Sequence, residues 1–345
     1  MTRKIVTIVG ARPQFIKAAA VSRAVRETSG LDEVMVHTGQ HFDADMSDVF
    51  FQELDIPEPK HRLNINGGGH GAMTGRMLAA VEPVLIAERP DWVVVYGDTN
   101  STLAGALAAA KLHIPVAHVE AGLRSFNRRM PEEVNRVLTD HIAALHLCPT
   151  TSAVENLTKE GIREGVHRIG DVMYDAALFA IHRAEGGSKI LSELGLIAKN
   201  YGVATVHRAE NTNDAASLRD VIGFLQQRSK ARPVVLPLHP RTRQTAQAMG
   251  IAFDGLKVIN PVGYLDMAQL LHSACEVFTD SGGLQKEAYF HRVPCTTLRD
   301  ETEWVETIAH GWNRLWKGPD FAERSEIDEY GDGRAAFRIA QLLKS

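Results

Sequence analysis

The sequence reads as two doubly wound α/β domains placed one after the other. Short apolar runs rich in Val and Ile alternate with longer helical patterns, the signature of parallel strands covered on both faces. The alternation stops and restarts near residue 200, and nearly every polar cluster falls where an apolar run ends. At 345 residues the chain is also long for one ordinary core, so length alone points to two domains or to one large α/β barrel.

In the first half, KIVTIVG at 4–10 is a strand, followed by a helix from Phe15 to Glu27. DEVMVHTGQ at 32–40 is the next strand and leads into a polar loop. A helix over Gly75–Glu88 precedes the strand DWVVVYGD at 91–98. A helix of small residues, Thr99–Leu112, precedes IPVAHVEAG at 114–122, and HIAALHLCPT at 141–150 is a further strand. The second half opens with the strand NYGVATVH at 200–207, a helix over Ala215–Gln227 and the strand PVVLPLH at 233–239. LKVINPVG, a helix over Leu265–Ser273 and the strand CEVFTDSGG at 275–283 follow, then a helix over Gly283–Phe290 and the strand VPCTTLRD at 293–300. The boundary is placed between Gly170 and Lys199, with HRAEGGSKI at 182–190 as a loop near the hinge, and GDGRAAFRIAQLLKS closes the chain as a capped amphipathic helix. The expected division is 1–172, 173–325 and a terminal helix over 326–345 that packs back on the first domain.

The composition is that of an ordinary globular protein, 44% apolar and 23% charged. A net charge of −4 argues against a nucleic-acid partner, since backbone affinity needs clustered Lys and Arg. It leaves room for a local diphosphate site at a helix N-terminus. Cys148, Cys275 and Cys295 are scattered, without metal-ligand or disulfide spacing, which fits a reducing compartment. The first apolar run breaks at Gly10 after five residues, too short for a signal segment. Nor does any run approach the roughly 18 apolar residues that span a bilayer. A cytoplasmic protein with no membrane partner is expected.

Five clusters carry candidate chemistry. GARPQFIK at 10–17 joins a strand to a helix; Gly10 suits a tight turn, Pro13 the first helical turn, and Arg12 and Lys17 lie near the helix N-terminus. The run lacks the GxGxxG spacing of a dinucleotide site. YGDTNST at 96–102 puts Asp98 at the end of a buried strand, as a functional carboxylate or as a helix cap. In HVEAGLRSFNRRMPEEVNR at 118–136, Glu120 follows an apolar strand, so its carboxylate needs a partner, for which Arg124 is the candidate. Glu132 and Arg136 are four apart on one helix face, which an ion pair alone would also explain. TVHRAEN at 205–211 sets His207, Arg208 and Glu210 at a strand end, and the neighbouring strand brings His239 to the same rim. In TDSGGLQKE at 279–287, Ser281, Gly282 and Gly283 open a helix with bare N–H groups suited to a diphosphate, and Glu287 lies one turn on, placed to accept ribose hydroxyls. No HExxH or CxxC pattern points to a metal, and there is neither a GxSxG elbow nor a Walker A loop. Carboxylates and a histidine set against a diphosphate cradle suit acid–base chemistry on a nucleotide-activated substrate.

Taken together, GARPQFIK, TGQH, YGDTNST, HVEAGLRS, PEEVNR, TVHRAEN, HP and DSGGLQKEA resemble the non-hydrolysing UDP-N-acetylglucosamine 2-epimerases, in that family's order from residue 10 to about 305. The resemblance implies a GT-B fold, two Rossmann-like domains with the active site in the cleft between them, in a homodimer. It implies that UDP leaves C1 as the C2 proton is removed, giving a 2-acetamidoglucal. UDP then re-adds after a proton returns to the opposite face of C2. No hydride moves, so no cofactor is expected. By motif, Asp98, Glu120 and Glu132 match the family's catalytic carboxylates, with their assignment to the two faces of C2 left open. His207 matches the histidine associated with UDP departure. Arg12, Lys17, Arg136, Ser281, Gly282, Gly283 and Glu287 match positions lining the nucleotide-sugar site, with Arg208, His239 and Arg299 as further substrate contacts.

Two segments depart from the common pattern. TGQH is followed here by Phe42 and Asp43, where some bacterial members have residues that hold a second, activating UDP-sugar. LRDETEWVET at 298–307 stands where UDP-GlcNAc enzymes read LRxxTERPE, and RSFNRRMPEE is compact. These features resemble the branch acting on UDP-2,3-diacetamido-2,3-dideoxy-glucuronate for surface polysaccharide. A C6 carboxylate would want a cation, for which Arg128, Arg129 and Arg299 are candidates. The alternatives are UDP-GlcNAc as substrate, a retaining GT-B glycosyltransferase, a hydrolysing epimerase, or a nucleotide-sugar sensor without catalysis.

Overall fold

A computed structural model of the chain describes residues 2–40, 51 and 53–345. It divides into two compact units, Met1–Ala176 with Asp328–Ser345, and Ala177–Ile327.

Unit 1 is built on seven parallel strands: β1 Arg3–Val9, β2 Leu31–His37, β3 His61–Arg62, β4 Trp92–Tyr96, β5 Val116–Val119, β6 Leu145–Cys148 and β7 Val166–Arg168. Their order across the sheet is β3-β2-β1-β4-β5-β6-β7. The helices are α1 Arg12–Glu27, α2 His70–Glu88, α3 Asn100–Lys111, α4 Pro131–Ile142, α5 Thr151–Lys159 and α6 Val172–Gly187. Val6, Ile8, Val34, Val36, Val81, Leu85, Val93 and Val95 form a buried cluster on one sheet face. α3 can lie close because it is made of small residues: a Cβ on Gly105 would stand 2.7 Å from Ile8 Cδ1. HIAALHLCPT was expected as one strand, but His141 and Ile142 still belong to α4, and the strand begins at Leu145. β3, β7 and α5 carry too few periodic residues to have been expected.

Unit 2 repeats the plan with six parallel strands in the order β10-β9-β8-β11-β12-β13. They are β8 Gly202–Thr205, β9 Val234–Pro237, β10 Lys257–Ile259, β11 Glu276–Thr279, β12 Cys295–Thr297 and β13 Asn313–Leu315. The helices of this part of the chain are α7 Ile190–Glu193, α8 Ala209–Thr212, α9 Ala215–Ser229, α10 Pro240–Ala248, α11 Tyr264–Ser273, α12 Gly282–Phe290 and α13 Val305–Ala309. Successive strand residues enter two different clusters. Ala204, Leu236 and Phe278 pack with Leu218 and Val221 of α9, whereas Val203, Val235 and Val277 pack with Leu270 of α11 and Ala288 of α12. Each strand is thus covered on both faces, which is why it reads as a continuous apolar run.

HRAEGGSKI is not a loop. α6 continues through it to Gly187, carried by the buried residues Ala177, Ala180 and Ala184 at helical spacing, and Ser188 and Lys189 alone separate it from α7. The division between the units falls inside this helix. The terminal helix, α14 Ala335–Lys344, belongs to unit 1 and packs on α1. Its cap is not local: the Asp175 carboxylate accepts from the N–H groups of Ala335 at 3.2 Å and Ala336 at 2.8 Å. Burial pushes the Asp175 carboxyl up to about 6, against the pull of those bonds. Among the described residues no helix is long and apolar enough to cross a membrane.

Candidate active site

Each unit has the strand order of a doubly wound sheet, with a switch point where the chain changes direction across the sheet: between β1 and β4 in unit 1, and between β8 and β11 in unit 2. The predicted residues lie just beyond the carboxyl ends of strands or on the helices that follow them.

In unit 1, the end of β1 touches its neighbours closely. A Cβ on Gly10 would fall 2.0 Å from Thr38 Oγ1 and 2.2 Å from Ser101 Oγ, so glycine is required here by close approach and not by a tight turn. Gln14, fully buried, then ties the start of α1 to the end of β4. Its Oε1 accepts from Gly10 N at 2.8 Å and Ala11 N at 3.0 Å, and its Nε2 donates to Tyr96 O at 2.8 Å. Arg12 is exposed on the first turn of α1, and Lys17 lies on its buried side. The Lys17 ammonium pairs with the Glu120 carboxylate, which settles the partner of Glu120.

Glu120 itself has φ of +74°, a left-handed conformation that a residue with a Cβ adopts at a cost of order 1–3 kcal/mol. Gly97, also at positive φ, comes against this pair: a Cβ there would stand 3.2 Å from Glu120 Oε2 and 3.4 Å from Lys17 Nζ. Asp98 follows immediately and pairs with the Arg136 guanidinium, while Asn135 Nδ2 donates to Asp98 O at 2.9 Å. Asp98, Glu120, Lys17 and Arg136 therefore form one constellation.

Two expectations are corrected here. Arg124 does not face Glu120. Its Nη1 bonds Asp140 Oδ2 at 2.7 Å, and its Nε and Nη2 clasp both oxygens of Glu160 at 2.7 and 2.8 Å. Arg136 pairs with Glu133 at 3.0 Å, one helical turn away, and with Asp98, not with Glu132. Glu133, buried, also accepts from Ser125 N and Phe126 N, both at 2.9 Å, and so shapes the loop before α4. Burial would raise its pKa, but the bonds from Ser125 and Phe126 and the charge of Arg136 hold it below the usual carboxylate range. Glu132 is half-buried on the first turn of α4 and has no hydrogen-bond or ion-pair partner among the described residues.

In unit 2, Asp280 is the organising group, and sequence reading missed it. It is fully buried just beyond β11 and accepts from His207 N, Arg208 N and Asn211 Nδ2, each at 3.0 Å. His207 Nδ1 lies 3.2 Å from the same carboxylate, so the ring turns its Nε2 edge outward, and the side chain is 53% exposed. Ser281 follows and caps α12 by accepting from Leu284 N. A Cβ on Gly282 would fall 2.3 Å from Glu303 Oε1, the tip of a flexible side chain that would have to swing aside; at Gly283 the space is open. Glu287 sits half-buried one turn further. His239 is exposed just beyond β9, the neighbour of β8. Arg299 is held by Glu303 at 2.8 Å, and Trp304 Nε1, near Gly282, has no partner among the described residues. Phe42 and Asp43 lie outside the described residues. Among the described residues no group of His, Cys, Asp and Glu is placed to hold a metal.

Two doubly wound units in one chain are the architecture of the GT-B fold class. The model of the UDP-N-acetylglucosamine 2-epimerase family matches residues 23–344, and the chain belongs to that family. It is 50% identical to UDP-2,3-diacetamido-2,3-dideoxy-D-glucuronate 2-epimerase of Pseudomonas aeruginosa, over 99% of both chains. It is likewise 50% identical, over 99% of both, to a UDP-N-acetylglucosamine 2-epimerase homolog of Methanococcus maripaludis. Among solved structures, UDP-GlcNAc 2-epimerase of Methanocaldococcus jannaschii in complex with UDP-GlcNAc and UDP superposes with a TM-score of 0.84 at 40% identity, over 99% of both chains.

Proposed function

We propose that this epimerase inverts C2 of UDP-2,3-diacetamido-2,3-dideoxy-glucuronate. UDP is eliminated across C1–C2, a 2-acetamidoglucal forms, and UDP adds back after a proton reaches the other face of C2. The reaction needs proton-handling groups beside C2 and a firmly held diphosphate. The observation that carries the reading is the convergence of Asp98–Arg136 and Glu120–Lys17 around Gly97. Glu132 completes the acidic set. His207, with Ser281, Gly282, Gly283 and Glu287, would receive the UDP moiety, and Arg12, Arg208 and His239 would line the nucleotide-sugar site. The choice of a uronate is supported by the likeness to the Pseudomonas aeruginosa enzyme. It is also supported by Arg128 and Arg129, which lie in the loop before α4 with side chains that have no partner among the described residues, available to a C6 carboxylate. Arg299, already engaged by Glu303, is a weaker candidate for that role.

The equally similar Methanococcus maripaludis protein keeps UDP-GlcNAc as the second reading. Both substrates should be incubated with the purified protein in deuterated water. Deuterium at C2 with UDP still attached is expected, with kcat/KM at least about 10-fold higher for the uronate, the advantage of a charge-assisted contact of about 1.5–3 kcal/mol. An enzyme that prefers UDP-GlcNAc would overturn the uronate assignment. Exchange with neither sugar would overturn the epimerisation.

We further infer that the enzyme is a cytoplasmic homodimer. α2, α3 and α4 lie side by side on unit 1, and α2 exposes Ile86 (56%) while α4 exposes Val134 (42%) and Leu138 (48%), one turn apart. Such a face suits a second copy of the chain. Leu138→Glu is expected to convert dimer to monomer in light scattering. A monomeric parent protein would refute the inference.

A further inference from the structure

One buried side chain links the turn that bears Asp98 to the turn that bears Glu120. His118 lies in β5, two residues before Glu120, and is wholly buried. Its Nδ1 is 2.6 Å from Asp140 Oδ1 and its Nε2 is 2.7 Å from Gly97 O. A carboxylate and a carbonyl are both acceptors, so each ring nitrogen faces one, a geometry that calls for a donor at both. Each end of this bridge holds a catalytic turn. Gly97 is the residue before Asp98, and its own N–H donates to Val119 O at 3.0 Å, so its N–H and its C=O are both fastened to β5. Asp140 uses its other oxygen to accept from Gly122 N at 3.1 Å and Arg124 Nη1 at 2.7 Å, which fastens the chain just after Glu120.

We propose that His118 is a positioning residue for the epimerisation. It fixes the Gly97 peptide, and with it the height of Asp98 above the sheet and the face that Gly97 presents to the Glu120–Lys17 pair. A histidine needed for core packing alone would have no reason to aim at these two turns. A displacement of about 1 Å in reacting groups can cost about 10²-fold in rate.

The inference rests on Asp98 and Glu120 as proton-handling groups. His118→Phe preserves a ring and removes both donors. It is expected to lower kcat and C2 deuterium exchange by about 10²-fold. UDP affinity, read by calorimetry, should stay within about 2-fold, because the proposed UDP groups lie in unit 2. His118→Gln, which retains a donor, should recover part of the lost kcat. A folded Phe variant with the parent kcat, or with equal losses in kcat and UDP affinity, would overturn the proposal. Should the Phe variant fail to fold, the parent protein labelled with ¹⁵N-histidine decides. Two slowly exchanging ring N–H signals for His118, assigned through the Gln variant, support the double anchor, and one alone overturns it. A parent protein that exchanges no C2 proton would instead remove the functional reading, while leaving the ring measurement valid.

Discussion

Glu120→Gln is expected to lower C2 proton exchange by about 10³-fold while leaving UDP affinity within about 3-fold of the parent. The substitution keeps the volume of the side chain and removes its capacity to take or give a proton, and general acid–base groups are worth about 10²–10⁴-fold. Lys17 would face an amide oxygen and keep a weaker bond. The proposed UDP groups, His207 and the turn after β11, are anchored by Asp280 in the other unit and are untouched. The backbone strengthens the case. Glu120 is held at φ +74° at the end of a parallel strand, and strain of this kind persists where the surroundings over-determine it. Glu132→Gln is the informative companion, because Glu132 has no partner among the described residues and its loss removes no visible structural bond. It too should lose turnover with UDP binding retained. Deuterium incorporation at C2, followed by NMR with UDP titrations in parallel, gives both quantities. If Glu120→Gln exchanges within about 10-fold of the parent, the carboxylate is not one of the proton-handling groups.

The contrast between Glu120 and its surroundings shows what a sequence makes legible. A carboxylate closing an apolar run stands out, because burial of a charge demands a reason. The identity of its partner does not stand out. Arg124, four residues on, was the natural candidate, yet Lys17, which is 103 residues away in the chain, takes the place. The strands were legible because both of their faces are buried, as the alternation of Val203 and Ala204 between two clusters illustrates. α6 was not, because Gly186 and Gly187 look like a loop, whereas the helix is sustained by alanines that pack tertiary neighbours. His118 and Asp280 were missed for a related reason. Each is a single polar residue in or beside an apolar run, and only the pairing of β5 with β4, or of β8 with β11, reveals what it binds.

Those hidden groups lead to the largest effect expected on stability. Asp140→Ala should destabilise unit 1 by about 3–5 kcal/mol, the usual cost of removing one member of a buried ionic network. Asp140 is fully buried, and its two oxygens receive His118 Nδ1, Gly122 N and Arg124 Nη1. The loss is not the net worth of an ion pair. It arises because two donors, those of His118 and Gly122, are left buried without an acceptor, and because Arg124 keeps Glu160 as its sole carboxylate partner. Burial opposes the charge of Asp140, but His118 and Arg124 prevail and hold its carboxyl below the ordinary value of 3.8. A depressed carboxylate makes the native state bind fewer protons than the unfolded chain in acid. Its contribution is therefore complete above about pH 4 and is lost as the pH falls through the native value. The parent protein should lose stability steeply below pH 4, and Asp140→Ala should show a shallower acid limb from a lower plateau. Urea unfolding at neutral pH and again in acid measures both. A variant within about 1 kcal/mol of the parent at neutral pH would mean that His118 and Gly122 find other acceptors, and that the turns on either side of Glu120 are held by something other than this carboxylate.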